Sequence, residues 1–312
     1  MADRSAGLGR ALVVVSVVGF GFGWTASQIE LDYAASVTHA ALPSTVNHFG
    51  LAVLLRWDVL FGVPLIYLVA TMLLSRLFAA YPSLRVKKAS AKRKEPMGLY
   101  NAVQIAYNVT QIAVCSWMVW GLAPVLTAGT VPWFGLGLPY SASIEKFVFV
   151  HYLTKMLDWF DTLFQLVEGK EVSFLHVFHH ATIGIVWGYL LSIGHGNGTC
   201  AYGAWINSVT HVIMYTHYLV TALGFTNPLK AQVTQFQLAQ FASCILHAVL
   251  VLTAVVEPGC PSVFGFLQIS YHFTMIMLFG WNMRWYPRWL TGFAEEDEKK
   301  AQRAATMLKR LQ

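Results

Sequence analysis

Seven segments of this chain, at roughly 58–79, 103–126, 147–166, 177–194, 202–223, 235–256 and 263–283, are long and apolar enough to be solvated by lipid. A spanning helix needs about 20 mainly apolar residues, because the bilayer core offers the backbone no hydrogen-bond partner except itself. Seven such segments on short connections predict an all-α polytopic membrane protein and leave no room for an extended soluble domain. Composition agrees: 56% of the residues are hydrophobic and only 12% charged, whereas a soluble domain carries about 25% charged residues. The four cysteines form no C-x-x-C pair, so neither a zinc ribbon nor a disulfide framework is signalled.

The connections set an orientation. The net charge of +6 gathers in two places, "RVKKASAKRKE" (Arg85–Glu95) and the C-terminal tail from Arg284 to Arg310. Both fit the positive-inside rule, which places them in the cytosol, better than they fit nucleic-acid binding. The connection at 127–145 has no Lys or Arg and is predicted lumenal; "EGKE", "HGNGTC", "TNPLK" and "EPGCPS" then alternate consistently. Asn197-Gly198-Thr199 is a glycosylation sequon on the predicted lumenal side, very near the membrane. Residues 11–26, preceded by Arg4 and Arg10, form a short apolar run without a clean A-x-A cleavage site, read as an extra uncleaved or interfacial helix. The expected division is an N-terminal segment over 1–54, a membrane domain over 55–285 and a basic cytosolic tail over 286–312, whose final "KRLQ" is close to a dilysine retrieval signal for the endoplasmic reticulum.

Ionisable groups at membrane depth are costly and point to function, and here they cluster. In "HYLTKMLDWFDT", His151, Lys155, Asp158 and Thr162 fall within about 60° of helical arc, with Asp161 beside them. A buried ion pair of Lys155 with Asp158 or Asp161 is the plainer reading, but a lysine, two aspartates and a histidine exceed what such a pair requires. In "SFLHVFHHATIG", His176, His179 and His180 share one face within about 100°. In "NSVTHVIMYTHY", Asn207, His211, Met214 and Tyr218 line one face, with Tyr215 at its edge and His217 pointing away. In "TQFQLAQ", Thr234, Gln237 and Gln240 run along the start of the next helix, where glutamines also serve as plain interhelical hydrogen bonders. His247 and His272 are read as satisfied core histidines, and Cys244 as packing. Four successive polar stripes are most simply explained by one shared, partly wet cavity, which an enzyme or a transporter can use.

Three chemistries fit histidines in such a cavity. A di-iron desaturase or hydroxylase draws imidazole ligands from several histidine boxes; this chain has one H-x-x-H-H and no H-x-x-x-H outside it. Zinc hydrolysis wants H-E-x-x-H, which is absent. Acyl chemistry needs no metal: imidazole serves as general base or as a nucleophile that forms an acyl-imidazole. A carboxylate such as Asp158 or Asp161 can then fix its tautomer. Asn207, Tyr215 or Tyr218 can donate to a developing oxyanion or enolate, and Lys155 can meet a polyanionic cosubstrate such as a CoA thioester. Spacing alone does not choose the reaction.

The motifs narrow the choice. "KMLDWFDT" (Lys155–Thr162), "HVFHH" (His176–His180), "NSVTHVIMYTHY" (Asn207–Tyr218) and "TQFQLAQ" (Thr234–Gln240) resemble, in order, four motifs of the ELO family of very-long-chain fatty-acid elongases. The resemblance covers roughly residues 55–290, about three-quarters of the chain, and departs from the family pattern at Asp158, where the family has Glu, and at His217, where it has Tyr. The phrases "SFLHVFHHATIG" and "INSVTHVIMY" look most like algal and lower-plant elongases of polyunsaturated C18–C20 acyl chains.

The resemblance implies an endoplasmic-reticulum membrane enzyme with seven spans, six of them forming an inverted-repeat barrel around an acyl tunnel. It implies condensation of acyl-CoA with malonyl-CoA to 3-oxoacyl-CoA, CO2 and CoA, through an acyl-imidazole on His179 supported by His176 and His180. His211 would assist malonyl decarboxylation. No metal or cofactor beyond the two CoA substrates is implied. The reductases and dehydratase of the cycle would be separate partner chains, and a homodimer is compatible. A lipid transporter with the same cavity remains the rival from another class.

Overall fold

The computed structural model describes residues 51–86, 98–253, 260 and 263–283. The predicted N-terminal hydrophobic helix, most of the basic 85–95 connection, most of "EPGCPS" and the C-terminal tail lie outside the described residues.

The described chain is all-helical. Eight α-helices follow in order: α1 (Trp57–Ala80), α2 (Leu99–Gly121), α3 (Ala142–Leu157), α4 (Trp159–Val167), α5 (Phe174–Ser192), α6 (Ala201–Ala222), α7 (Lys230–Thr253) and α8 (Val263–Asn282). α1, α5, α7 and α8 are long and apolar enough to cross a membrane, which makes this a multi-pass membrane protein. Helix also fills the other predicted segments, but there α2, α3 and α6 bury polar side chains, among them Gln111, Lys155 and His211.

One expected segment differs. The 147–166 span is not one helix: it is interrupted at Asp158, which ends α3 and begins α4. The interruption falls on a residue whose carboxylate is engaged by other helices, as described below.

Packing closes a ring. α2 lies along α6 and beside α3, α3 packs on α5, α5 meets α8, α8 lies along α7, and α7 returns to α6. α1 sits outside this ring against α5 and α4. Its outward face carries Leu65 and Ile66, both well exposed, as lipid contact requires. The approach of α1 and α3 to α5 is close: a Cβ on Gly188 would sit 2.2 Å from Leu60 Cδ2 and 2.9 Å from the Tyr152 ring.

One end of the ring is capped by the α2–α3 connection, a tight structure pinned by the Val131–Leu136 bridge. Gly129 there has φ +93°, and a Cβ on it would meet Leu136 O at 2.4 Å, so only glycine fits. Asn197 ties the α5–α6 connection to this cap. Its Nδ2 donates to Ser141 O at 2.9 Å, and its Oδ1 accepts from Ser141 N at 3.2 Å and Gly198 N at 2.9 Å. The sequon amide is therefore buried and fully engaged.

Candidate active site

Helix α5 begins because Ser173 caps it, its Oγ accepting from His176 N at 3.3 Å, the usual role of serine at that position. The cap sets where the first turns point their histidines. His176 Nε2 lies 2.8 Å from Thr162 Oγ1, and the Gln165 amide is 3.3 Å from Nδ1. Thr162 is held in turn by Tyr67 OH of α1 at 2.9 Å. His180 packs on His176 with ring centroids 4.0 Å apart and 33° between planes. The backbone carbonyl of His180 accepts from the Trp159 indole at 2.9 Å. His179 turns toward α8, its Nδ1 3.1 Å from Tyr271 OH.

Both His176 nitrogens lie within hydrogen-bond range of the Thr162 and Gln165 side chains. Among the described residues, no three His, Cys, Asp or Glu side chains are grouped to hold a metal ion.

A second cluster joins α2, α3, α4 and α6. Lys155 Nζ donates to Asp158 Oδ2 at 3.2 Å and to Asn207 Oδ1 at 2.8 Å. Asp158 Oδ1 accepts from Gln111 Nε2 at 2.9 Å and from Tyr215 OH at 3.0 Å. Tyr215 OH is also 2.7 Å from Asp161 Oδ2, so one phenol bridges two carboxylates. Lys155 and Asp158 are 1% and 2% exposed; a charged pair that dry persists only because each partner has further hydrogen bonds. His211 Nδ1 stands 3.9 Å from Asp158 Oδ2, beyond hydrogen-bond range, and is buried with no partner among the described residues.

Between α5, α6, α7 and α8 lies a narrow cavity of about 80 Å³. His179 and Asn207 line it together with Gln240 and Tyr271, so both clusters reach the same space. Ile183, Val186, Leu190, Val251, Phe264 and Leu267 carry its apolar wall down to Thr199, Cys200 and Cys260 at the capped end. From His179 to Leu190 the α5 wall runs 11 residues, about 16 Å at the rise of an α-helix.

The predicted site residues divide accordingly. Lys155, Asp158, Asp161, Asn207 and Tyr215 form one network with His211 beside it, and His176, His180 and Thr162 form the other. His179 and Gln240 face the cavity. Thr162 supports His176 and does not line the cavity. Tyr215, expected at the edge of its face, is fully buried at the centre, while Tyr218 is 38% exposed. Thr234 and Gln237 lie outside the cavity lining, Gln237 donating weakly to Met214 Sδ at 3.6 Å. His151 packs edge-on against Trp187 at 4.9 Å rather than joining Lys155. His247 and His272 each have a hydrogen-bond partner in Gln268, at 2.8 Å, yet both also line the cavity. Gln111, Tyr67, Gln165 and Tyr271 are the additions. Of these, Gln111 stands out in the sequence as a polar residue in the apolar run "VTQIAV".

The description "ELO: GNS1/SUR4 family" matches residues 52–286. The chain belongs to the ELO family. "Fatty acid elongase 5" of Leishmania major is 43% identical over 259 residues, 82% of this chain and 95% of its own length. "Fatty acid elongase 5" of Trypanosoma cruzi is 40% identical over 231 residues, 73% of this chain and 84% of its own. In this ELO protein the four motifs fall on α3–α4, α5, α6 and α7, the helices that build the two clusters and part of the cavity wall. The two departures differ in consequence. Asp158 sits at the centre of the polar network, whereas His217 is turned away and bonds Asn227 at 2.8 Å.

Proposed function

We propose that this ELO protein is a fatty-acid elongase that condenses a long-chain acyl-CoA with malonyl-CoA, giving 3-oxoacyl-CoA, CO2 and CoA. One observation carries the reading: a single apolar cavity is lined at one end by His179, Asn207 and Tyr271 and walled beyond them by aliphatic and aromatic side chains. An acyl tail gains by leaving water for such a wall, which holds its thioester at the polar end.

Two half-reactions follow. In the first, the His179 lone pair forms a bond to the thioester carbonyl carbon, the C–S bond breaks, and CoA leaves as thiolate. In the second, malonyl-CoA loses CO2. The resulting carbanion forms a C–C bond to the acyl carbon, the C–N bond breaks, and its electron pair returns to the imidazole. Asn207, on the cavity wall, supplies a donor for the enolate oxygen, Lys155 holds the Asn207 amide in place, and His211 assists decarboxylation. The preference for polyunsaturated C18–C20 chains rests on the phrases around the second and third motifs. The endoplasmic-reticulum membrane, with the C-terminus cytosolic, follows from the charge of the connections. The product then passes to a separate 3-oxoacyl-CoA reductase, a dehydratase and an enoyl-CoA reductase.

The test is purified protein with acyl-CoA and malonyl-CoA, read by mass spectrometry. The 3-oxoacyl-CoA product is expected, and His179→Ala is expected to abolish it. Binding of acyl-CoA without turnover would make the protein a lipid carrier instead.

A further inference from the structure

We propose that Tyr271, through Thr182, is the positioning residue that fixes the tautomer of His179 and keeps one proton on its Nδ1 through the whole reaction cycle. The proposal rests on the acyl-imidazole reading above and adds to it a residue outside all four motifs.

A threonine hydroxyl has one proton to give. Thr182 Oγ1 gives it to Phe178 O, one turn back on α5, at 2.8 Å. With that proton committed, the phenol is the donor left for the longer contact between Thr182 Oγ1 and Tyr271 OH, at 3.4 Å. With its only proton directed to Thr182, Tyr271 OH meets His179 Nδ1 at 3.1 Å as acceptor. Nδ1 therefore carries the ring proton, and Nε2 holds the lone pair. The ring lines the cavity, where the thioester carbon would be. The direction of the links starts from a backbone carbonyl, which can only accept.

The chemistry gains from this direction. Attack by Nε2 of neutral His179 on a neutral thioester gives a cationic acyl-imidazolium, still protonated at Nδ1, and a CoA thiolate, so charge balances. When the carbanion from malonyl-CoA takes the acyl group, the C–N electron pair returns to Nε2 and neutral His179 is restored with the same Nδ1 proton. No proton has to enter or leave this buried ring in either half-reaction. Tyr271 OH remains its acceptor throughout and stabilises the cation by a charge-assisted bond.

The experiment measures CoA release from acyl-CoA alone, in a single turnover, across pH. Tyr271→Phe keeps the ring and loses the acceptor. Its acylation rate is expected to fall about 10- to 100-fold, the scale known for groups that orient metal-bound imidazoles, with an altered pH profile. Thr182→Val is expected to lower the rate in the same direction, and Thr182→Ser to restore it, since only the hydroxyl matters. If Tyr271→Phe does not fold, the Thr182 pair decides alone. Wild-type rates and pH profile in Tyr271→Phe, or equal rates in Thr182→Val and Thr182→Ser, would overturn the relay while leaving the acyl-imidazole in place. Wild-type protein that carries its acyl group on a residue other than His179 would overturn both.

Discussion

The Lys155 ammonium lies 2.8 Å from Asn207 Oδ1, a contact that joins two sequence motifs 52 residues apart across α3 and α6. The same ammonium pairs with Asp158, so it compensates a buried carboxylate and positions an amide that faces the cavity. Lys155→Met removes both. The carboxylate left behind is uncompensated, and loss of one partner of a buried pair costs about 3–5 kcal/mol. The expected outcome is a markedly lower midpoint of thermal unfolding in detergent, measured beside the loss of condensation activity.

The three-histidine box predicts indifference to chelators. The His176 and His180 rings lie 4.0 Å apart, tilted by 33°, and His176 is tied to Thr162 and Gln165. Condensation is expected to survive exhaustive dialysis against EDTA, and elemental analysis of the active protein is expected to show no stoichiometric iron or zinc.

The far end of the cavity predicts chain-length control. Val251 is buried on its wall. Val251→Phe adds bulk where a long tail would end, while the histidines near the other end are untouched. Turnover of the longest acyl-CoA accepted by wild type is expected to fall at least about 10-fold relative to shorter ones, read as a shift in the product chromatogram.

The sequon predicts no glycan. Asn197 is 3% exposed and its Nδ2, the atom a glycan would occupy, donates to Ser141 O at 2.9 Å. Electrophoretic mobility is expected to be unchanged by endoglycosidase.

Much of this was legible in the sequence because the bilayer restricts the answer. Apolar length marks where helices run, and ionisable residues at that depth mark the polar clusters. Which groups meet was less legible. Helical periodicity places Tyr215 and Tyr218 about 60° apart, and only the packing of α6 against α2 decides that Tyr215 takes the centre. The break at Asp158 has no local signal, since neither glycine nor proline occurs in "HYLTKMLDWFDT". It coincides with donors from Gln111, 47 residues earlier, and Tyr215, 57 later, distances across which no periodicity carries information. Tyr67 under Thr162 and Tyr271 beside His179 were hidden for the same reason: a phenol in an apolar helix reads as packing until its partner is known.

Whether His179 carries the acyl group is decided by incubating the purified protein with acyl-CoA alone, quenching rapidly and mapping the peptides. One acyl adduct on His179 and one CoA released per site are expected. Malonyl-CoA added afterwards should discharge that adduct as 3-oxoacyl-CoA. CoA release that requires malonyl-CoA from the start, or an adduct on any other residue, would contradict that role of His179.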